Sequence, residues 1–252
     1  MSDHHTIAPV ALVTGAAQRI GRRTAQTLHD NGYRVIIHCN NSTNAASEFC
    51  AELNAKRVDS ASWLQADLND MNQVTTLAKS AIEVFGRIDV LVNNASSFYP
   101  TKMGDVNEDI WNDLMSSNLK APFFLIQGLQ ETLAEHQGVV INMVDIHADR
   151  PLKEYPVYCM AKAGLVMLTK SLSRELAPKI RVNGIAPGAI LWHENDLSEA
   201  DKDQVLSEIA LNRLGTPDDI AQAILFMCKS SYITGQILAV DGGRSINGGS
   251  KA

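Results

Sequence analysis

The sequence predicts an α/β fold in which one doubly wound domain, residues 1–252, is built around a parallel β-sheet. Short aliphatic runs alternate with stretches of helical periodicity along the chain, which is the pattern of strands joined by helical crossovers. The apolar runs are continuous rather than alternating, as expected for strands covered on both faces. No internal repeat or linker divides the 252 residues, of which 45% are hydrophobic.

Seven segments carry the strand pattern, and the third is the weakest. They are residues 10–13, 34–37, 61–64, 88–92, 139–143, 180–185 and 237–240. The clearest helix lies between the third and fourth strands, where apolar residues recur at i, i+3, i+4, i+7 and i+8 and form one stripe. That stripe consists of Val74, Leu77, Ala78, Ala81, Ile82 and Phe85.

The ends of helices carry their own signals. Gly86 follows the apolar stripe directly, and Gly32 and Gly138 stand in the same place before other strands. All three are predicted to close helices in the left-handed conformation. The sequence Thr216-Pro217-Asp218-Asp219 predicts the start of the last helix, with a threonine N-cap, a proline at the first helical position and acids facing the dipole.

Composition and charge argue against several classes of protein. The formal net charge is -6 and no dense run of Lys or Arg occurs, so nucleic acid is not an expected partner. No stretch approaches the roughly 18 apolar residues of a membrane helix, and the first residues lack the pattern of a signal peptide. The four cysteines lack zinc-site spacing, so no metal is expected, and reduced thiols in the cytoplasm are the default.

One segment interrupts the alternation of strands and helices. Residues 189–214 are polar and follow Pro187-Gly188. Ligands of doubly wound sheets bind outside the carboxyl ends of the strands. The segment is therefore predicted to be a loop and helix insertion that covers the substrate, and the alternative is a plain surface insertion.

The first strand runs into a turn that predicts a phosphate-binding site. Gly15 permits a tight turn and Gly21 permits close packing of helix on strand, while free backbone N–H groups and the helix dipole favour a pyrophosphate. Arg19 stands where many dinucleotide folds carry a middle glycine. Its guanidinium can pair with phosphate or reach a planar ligand, and the alternative is a solvated arginine.

The end of the second strand indicates the type of dinucleotide. Folds that bind NAD carry an acid there for the ribose hydroxyls, and none is present. Asn40, Asn41 and Ser42 offer amide and hydroxyl donors that accept a 2′-phosphate, so the sequence favours NADPH. Asp67 and Leu68 follow the third strand and are predicted to meet the adenine, although Asp67 has the alternative role of a helix N-cap.

Tyr158 and Lys162 are the candidate catalytic pair. They stand four residues apart in a helical stretch and therefore share one face of the helix. The ordinary pKa of a phenol is near ~10, and a nearby cation is expected to lower it and so make a usable proton donor. A chance spacing on an exposed helix is the alternative.

These features resemble the short-chain dehydrogenase/reductase family across nearly the whole chain. The resemblance implies a Rossmann-like seven-stranded sheet, a nicotinamide cofactor and a homotetramer. It is carried by Thr14-Gly15 to Gly21, Asn93-Asn94-Ala95, Asn118, Tyr158, Lys162, Pro187-Gly188 and Asp241-Gly242-Gly243.

A narrower resemblance is to the pteridine reductases, including the dihydromonapterin reductase type. It is carried by Arg19, Ser96-Ser97-Phe98-Tyr99-Pro100, Asp145 and Tyr155. Most relatives have a catalytic serine where this chain has Asp145. A carboxylate only accepts hydrogen bonds, so it suits a donor-rich heterocycle such as a reduced pterin, and the alternative is an Asp that merely caps the next turn.

The resemblance also assigns roles to individual residues. Asp145, Tyr158 and Lys162 would be catalytic. Phe98 would stack on the pterin, unless it is an ordinary core aromatic, and Asn118 would hold a relay water or pin a helix kink. Substrate contacts would come from Arg19, Ser96, Phe98, Asp145, Tyr155 and Tyr158. Cofactor contacts would come from Gly15, Arg19, Ile20, Gly21, Asn94, Ala95, Ser96, Tyr158, Lys162, Pro187, Gly188 and Ile190.

Some positions depart from that family pattern. Asn40 and Asn41 replace a basic residue found in some pteridine reductases. His147 and His193 stand near the expected pocket as surface or gate residues. The lining is less polar than in some members at Ala189, Ile190, Leu191 and Trp192.

The function implied is NADPH-dependent transfer of hydride to dihydropterins, namely dihydrobiopterin or dihydromonapterin, with dihydrofolate as a further candidate. One alternative is a short-chain carbonyl reductase such as a 3-oxoacyl carrier reductase, which the Asp145 carboxylate disfavours. Another is a regulator that senses NADPH without turnover, which the intact Tyr158/Lys162 pair disfavours. A hydrolase is not expected because the chain has no GxSxG elbow.

Overall fold

The structure, a computed structural model, describes residues 8–190 and 199–247. Its centre is one sheet of seven strands in the order β3-β2-β1-β4-β5-β6-β7. Every neighbouring pair is parallel, which confirms the predicted doubly wound α/β fold. The strands are β1 (Val10–Val13), β2 (Arg34–Cys39), β3 (Ala61–Gln65), β4 (Val90–Asn93), β5 (Val139–Met143), β6 (Arg181–Pro187) and β7 (Ile237–Val240).

The strand order reverses beside β1. The chain moves outward from β1 to β3, then returns to place β4 on the other side of β1 and moves outward again to β7. Val13 at the end of β1 pairs with Ile37 of β2 and with Val92 of β4. The loops that follow β1 and β4 therefore part at this point and leave a crevice at the carboxyl edge, where doubly wound sheets bind ligands.

Helices cover both faces of the central strands, which explains why β1, β4 and β5 are buried along their whole length. In β1, Ala11 and Val13 are buried with residues of α1, α2 and α8. Val10 and Leu12 are buried with residues of α3 and α5 on the other face. The helices are α1 (Arg19–Asp30), α2 (Thr43–Lys56), α3 (Met71–Phe85), α4 (Glu108–Met115), α5 (Ala121–Glu135), α6 (Pro156–Glu175), α7 (Glu199–Ser207) and α8 (Pro217–Lys229).

Two short elements accompany these helices. A π-helical turn, Ser116–Lys120, joins α4 to α5 without a break. A single 3-10 turn, Ile146–Ala148, follows β5.

The predicted helix ends are confirmed except at one glycine. Gly86 closes α3 with φ 77°, and Thr216 forms a reciprocal capping box with Asp219 at the start of α8. Gly138 is not in the left-handed region, because Gln137 takes that conformation instead with φ 51°. Gly138 serves close packing, since a Cβ there would lie 2.7 Å from the Asp89 carbonyl oxygen.

The described part of the chain contains no helix that is both long enough and apolar enough to cross a bilayer. Its four cysteines are unpaired, and three of them are buried. Among the described residues, no group of three or more His, Cys, Asp or Glu side chains is arranged to hold a metal ion.

Candidate active site

A cavity of about 840 Å3 opens at the carboxyl edge of the sheet. This volume is near the upper end of the range for small-ligand sites. The structure brings most of the predicted site residues into its wall. They are Gly15, Arg19, Ile20, Gly21, Asn40, Asn41, Ser42, Asn94, Ala95, Ser96, Phe98, Asp145, Tyr155, Tyr158, Lys162, Pro187, Gly188 and Ile190.

Asp67 and Leu68 are not among the residues that line this cavity. The Asp67 carboxylate accepts a hydrogen bond from the Asn69 backbone N–H (2.9 Å). The N-cap of α3 is Asp70, not Asp67. Leu68 is buried in the core beneath α3 and α5. A contact of these two residues with adenine thus stays a prediction.

The turn after β1 has the geometry that its glycines predict. Gly15 has φ 62°, in the left-handed region. A Cβ at Gly21 would lie 2.2 Å from the Gly15 carbonyl oxygen, so α1 packs against the turn at a distance that only glycine permits. The Asn94 amide holds the turn from β4 by donating to the carbonyl oxygens of Thr14 (2.7 Å) and Gly15 (3.1 Å).

His38 also holds this turn, and the sequence analysis did not identify it. The Gly15 backbone N–H donates to His38 Nδ1 (3.1 Å), so the other ring nitrogen carries the proton and donates to the Ala66 carbonyl oxygen (3.1 Å). Burial lowers the pKa of His38 to about 4, although the bond to Ala66 opposes that shift. The imidazole is therefore neutral at pH 7, and it stabilises the turn by a hydrogen bond without adding charge.

Arg19 begins α1 and has φ 52°, the conformation that favours glycine. Its side chain is exposed, and no hydrogen bond or ion pair to another described residue occupies its guanidinium. The N-cap Gln18 makes no side-chain bond to the helix, and the first turn contains no acid. The start of α1 therefore presents free backbone N–H groups and a free cation to the cavity, as phosphate binding requires.

Tyr158 and Asp145 form the central hydrogen bond of the cavity. The Tyr158 hydroxyl donates to Asp145 Oδ2 (2.7 Å), and the His147 backbone N–H donates to Asp145 Oδ1 (2.8 Å). Asp145 therefore caps the 3-10 turn and also binds the phenol. Burial raises the pKa of Tyr158 well above 10, and the Asp145 carboxylate adds to that shift, while the Ser96 hydroxyl opposes it.

This result corrects one expectation. Lys162 was expected to lower the pKa of Tyr158, and the pKa is raised, because the phenol is buried and bonded to a carboxylate. The Lys162 ammonium lies 5.6 Å from the centroid of the Tyr158 ring and donates to the Met143 carbonyl oxygen (2.8 Å). Burial lowers the pKa of Lys162 to about 8, and Asp145 opposes that shift.

Ser96 and Asn118 occupy the wall beside Tyr158. The Ser96 hydroxyl donates to Asn118 Oδ1 (2.6 Å), and Asn118 Nδ2 donates to the carbonyl oxygens of Ser97 (3.0 Å) and Leu114 (2.9 Å). Asn118 lies in the π-helical turn, where backbone carbonyls lose their usual helical partners. Its amide therefore fixes the distorted helix and links it to the cavity wall.

Phe98 and Tyr155 form a stacked aromatic pair in the wall. Their ring centroids are 4.6 Å apart with an angle of 16° between planes. The rings of Phe98 and Tyr158 form a T-shaped pair, with centroids 4.8 Å apart and 77° between planes. The same rings pack on the buried side chains of Leu114 and Val157. Phe98 is thus both a cavity residue and part of a small apolar cluster, so the two interpretations of it do not exclude each other.

The wall also contains residues that the sequence analysis did not assign to it. His147 was expected only near the pocket, and it lines the cavity with Nδ1 2.9 Å from the Arg150 carbonyl oxygen. Arg244 was not considered; it lies directly after the Asp-Gly-Gly motif, and that adjacency was the available signal. The further lining residues are Ala17, Gln18, Cys39, Met143, Val144, Leu152 and Val205, and Ala189, which was expected in the lining, is there as well.

The expected covering segment, residues 189–214, is partly described. It contains α7, and Val205 of this helix lines the cavity. Residues 191–198 lie outside the described part of the chain, and with them the expectations for Leu191, Trp192 and His193. Whether the segment covers a substrate stays a prediction.

Comparison with known proteins yields one family and relatives with different named activities. The family whose sequence model matches residues 15–245 is described as Enoyl-(Acyl carrier protein) reductase. Pteridine reductase 1 of Leishmania tarentolae is 37% identical over 280 aligned positions, which cover 95% of this chain and 97% of that protein. The FabG 3-oxoacyl-acyl-carrier-protein reductase of Staphylococcus aureus is 38% identical over 238 residues, with 92% and 96% covered. The Staphylococcus epidermidis enzyme of the same name is also 38% identical, with 92% and 97% covered.

Proposed function

The chain belongs to the short-chain dehydrogenase/reductase family, and we propose that within this family it is an NADPH-dependent pteridine reductase. The reaction adds a hydride to the carbon and a proton to the nitrogen of the C=N bond of a 7,8-dihydropterin, such as dihydrobiopterin or dihydromonapterin. Dihydrofolate carries the same ring and is a further candidate. Family membership supports an oxidoreductase with a nicotinamide cofactor, whereas the choice of a pterin comes from the site.

The observation that carries the proposal is the Asp145 carboxylate in the cavity wall. Each of its oxygens accepts one protein hydrogen bond, and a carboxylate has about four acceptor positions, so both oxygens retain acceptor capacity. A pterin offers a ring N–H beside an exocyclic amine, a pair that matches a carboxylate. A ketone offers only an acceptor oxygen, which a carboxylate repels.

The aromatic pair supports the same substrate. A pterin is a flat bicycle, and flat rings gain roughly 1 kcal/mol from stacking on an aromatic face beyond simple burial. Phe98 and Tyr155 both line the cavity and are already nearly coplanar, so they form a rigid aromatic wall. The T-shaped contact between the Tyr158 and Phe98 rings keeps the phenol beside this wall.

The proton would reach the substrate nitrogen from the Tyr158 hydroxyl or from a water bonded to Asp145. When bound, a reduced nicotinamide supplies the hydride. The raised pKa of Tyr158 keeps the phenol protonated at neutral pH, so it is available as a donor. Lys162 is buried, and its ammonium would face the nicotinamide ribose and stabilise the phenolate after the proton leaves.

Three features favour NADPH over NADH. Asp145 is the only acid among the described residues that line the cavity, and Arg19, Lys162 and Arg244 are the cations. Asn40 and Asn41 are exposed after β2 and line the cavity. The N-cap residue of α2 is Ser42, which makes no side-chain cap bond, and the first turn of that helix has no acid. The 2′-phosphate that distinguishes NADPH from NADH would thus meet hydrogen-bond donors and no nearby carboxylate.

The deciding experiment measures loss of NADPH absorbance with dihydrobiopterin, dihydromonapterin and dihydrofolate, and with a 3-oxoacyl thioester in parallel. We expect turnover of at least one pterin at a kcat/KM far above that for the thioester. The opposite order would replace the proposal by a 3-oxoacyl carrier reductase, which the staphylococcal relatives are named to be. Binding of NADPH with no turnover of either class would favour the sensor interpretation.

The homotetramer is also part of the proposal. Among the described residues, Phe123 and Phe124 of α5 and Met160 and Met167 of α6 are large apolar side chains with at least 39% exposure. Exposed apolar residues of this size on helices commonly mark contacts between subunits. Light scattering on the purified protein should give about four times the chain mass, and a monomer at micromolar concentration would contradict this.

A cytoplasmic location is proposed alongside, with all four cysteines as free thiols.

A further inference from the structure

The turn after β7 carries Arg244 into the cavity wall. The Asp241 carboxylate holds this turn by accepting from the backbone N–H groups of Gly243 (2.9 Å) and Ser245 (2.6 Å). Gly242 and Gly243 have φ 64° and 83°, so the turn needs residues that tolerate the left-handed region. The Asp-Gly-Gly motif therefore fixes the position from which the Arg244 side chain reaches the cavity.

Two neighbouring segments hold the Arg244 backbone. The Arg150 guanidinium donates to the Arg244 carbonyl oxygen (2.9 Å). On the other side, the Leu211 backbone N–H donates to the Gly242 carbonyl oxygen (3.0 Å), and a Cβ at Gly242 would lie 2.8 Å from Ile209. Arg244 is thus placed between the loop that follows Asp145 and the segment that follows α7, which is the substrate end of the cavity.

The Arg244 guanidinium has unused donors. It donates through Nε (3.2 Å) and Nη2 (2.8 Å) to the same oxygen of Glu208, and Nη1 has no partner among the described residues. The Arg244 side chain is 17% exposed, whereas that of Glu208 is 41% exposed. Water therefore reaches the Glu208 carboxylate more freely than the Arg244 guanidinium, and it screens this ion pair in part. Arg244 lines the cavity, so an anion bound there would compete with Glu208 for the guanidinium.

Among the described residues that line the cavity, Arg244 is the cation at this end, because the neighbouring Arg150 does not line it. Lys162 is buried and bonded to a carbonyl oxygen, and Arg19 lies at the phosphate turn. His147 is the neighbouring polar side chain, and its Nδ1 lies 2.9 Å from the Arg150 carbonyl oxygen. Besides Glu208, which does not line the cavity, the carboxylate at this end is Asp145, and it is bonded to Tyr158 and to the 3-10 turn.

We propose that Arg244 is a specificity-determining residue that binds an anionic group on the side chain of the pterin substrate. This inference rests on the proposed function and deepens it. Asp145 and the Phe98–Tyr155 pair hold the pterin ring. Arg244 distinguishes pterins by the side chain that the ring carries. The substrates it favours carry a carboxylate or a phosphate beyond the ring, and Glu208 competes with that group for the guanidinium.

The test compares two pairs of substrates that share the ring and differ in an anionic group: dihydrofolate with its dimethyl ester, and dihydroneopterin with its phosphate monoester. For the wild type we expect the anionic member of at least one pair to have the lower KM, by about tenfold, as one new ion pair of modest strength gives. A preference within the folate pair would identify the bound group as a carboxylate, and a preference within the neopterin pair would identify it as a phosphate. In Arg244→Gln, we expect the ratio of the two KM values in that pair to fall to about one, because the KM of the anionic substrate rises. Its kcat should change by less than about threefold.

Two further variants separate recognition from structural support. Glu208→Gln removes the competing carboxylate, so it should strengthen the preference for the anion by about threefold, opposite in sign to Arg244→Gln. Arg213→Gln is the matched control, because Arg213 pairs with Asp219 outside the cavity, and it should leave the ratio unchanged. A wild type with no preference in either pair, or an Arg244→Gln variant that weakens both members of each pair equally, overturns the inference. A wild type that reduces no pterin at all overturns the proposed function, and that outcome is visible before any variant is made.

Discussion

The proposed phosphate-binding turn and the proposed substrate end of the same cavity are built from different chemistry. At the turn, the conformation is fixed by two glycines and by hydrogen bonds from neutral groups, the Asn94 amide and the uncharged His38 imidazole. At the substrate end, ionisable groups contact each other directly, as in the bond from Tyr158 to Asp145. A turn that receives a phosphate needs open donors and little else. A site that moves a proton needs groups whose pKa values are set by their neighbours.

The comparison predicts the largest effect at the phenol. Tyr158→Phe removes the proton donor and should lower kcat by about a thousandfold, within the usual range for a general acid. The Kd for NADPH should change by less than about threefold, because the turn is untouched. Stopped-flow turnover and fluorescence titration measure the two quantities.

Tyr99→Phe is the control for that variant, since the Tyr99 hydroxyl donates to Asp113 (2.8 Å) away from the cavity. It should keep full turnover. Equal losses in both variants would mean that the Tyr158 hydroxyl stabilises the fold and has no role in the reaction.

The next largest effect is expected at the turn itself. Gly21→Ala places a methyl group 2.2 Å from the Gly15 carbonyl oxygen, so the backbone must shift. Overpacking of this kind costs about 1 to 3 kcal/mol, and we expect the Kd for NADPH to rise by about a hundredfold. Gly164→Ala is the matched control, because its backbone is not in the left-handed region, its Cβ would meet only the end of the Leu119 side chain, and it does not line the cavity. A variant at Gly21 that binds NADPH normally would show that the turn does not contact the phosphates.

His38 makes the turn sensitive to acid. Its pKa is about 4 when folded and near 6.5 when unfolded, so the unfolded chain binds the proton more tightly between these values. Stability is fully present above about pH 6.5 and falls toward pH 4, by about 2 to 3 kcal/mol from this residue. His38→Asn keeps an acceptor for the Gly15 N–H and should flatten that part of the pH profile.

Urea denaturation at pH 7 and pH 4.5 measures this difference. Burial also lowers the pKa of His29, which contributes in the same direction, so the quantity to compare is the change between variant and wild type. The same pH slope in both proteins would contradict the role of His38.

The smallest effect concerns the aromatic wall. Phe98→Leu keeps an apolar side chain but removes the stacking surface, so the KM for dihydrobiopterin should rise about fivefold, which corresponds to roughly 1 kcal/mol. The Kd for NADPH should stay within about twofold. Phe85→Leu, on α3 and away from the cavity, is the control. An unchanged KM would remove Phe98 from the substrate site.

The sequence predicted the turn better than the substrate end. Gly15 and Gly21 could be interpreted from local spacing, because a tight turn after a buried strand depends on a few consecutive residues. The helical spacing of Tyr158 and Lys162 was predicted for the same reason. The direction of the Tyr158 pKa shift was not, because burial and the contact with Asp145, 13 residues earlier, exist only in the folded chain.

Other errors and omissions have the same origin. His38 belongs to a strand pattern, and its bond to Gly15 spans 23 residues. Arg244 reaches the cavity from the far end of the sequence. The left-handed residue before β5 is Gln137, not Gly138, since the glycine is needed there for contact with Asp89.

The π-helical turn at Ser116–Lys120 makes the length of this segment critical. Residues 108–135 form one continuous helix that contains the extra residue of this turn. Deleting one residue between α4 and α5 would let a regular helix re-form, and it would rotate everything beyond the deletion by about 100° relative to what precedes it. Asn118 would then point away from Ser97, while the composition of the helix would hardly change. Tolerance to single-residue deletions should therefore be far lower here than to substitutions on the exposed side of the same helix.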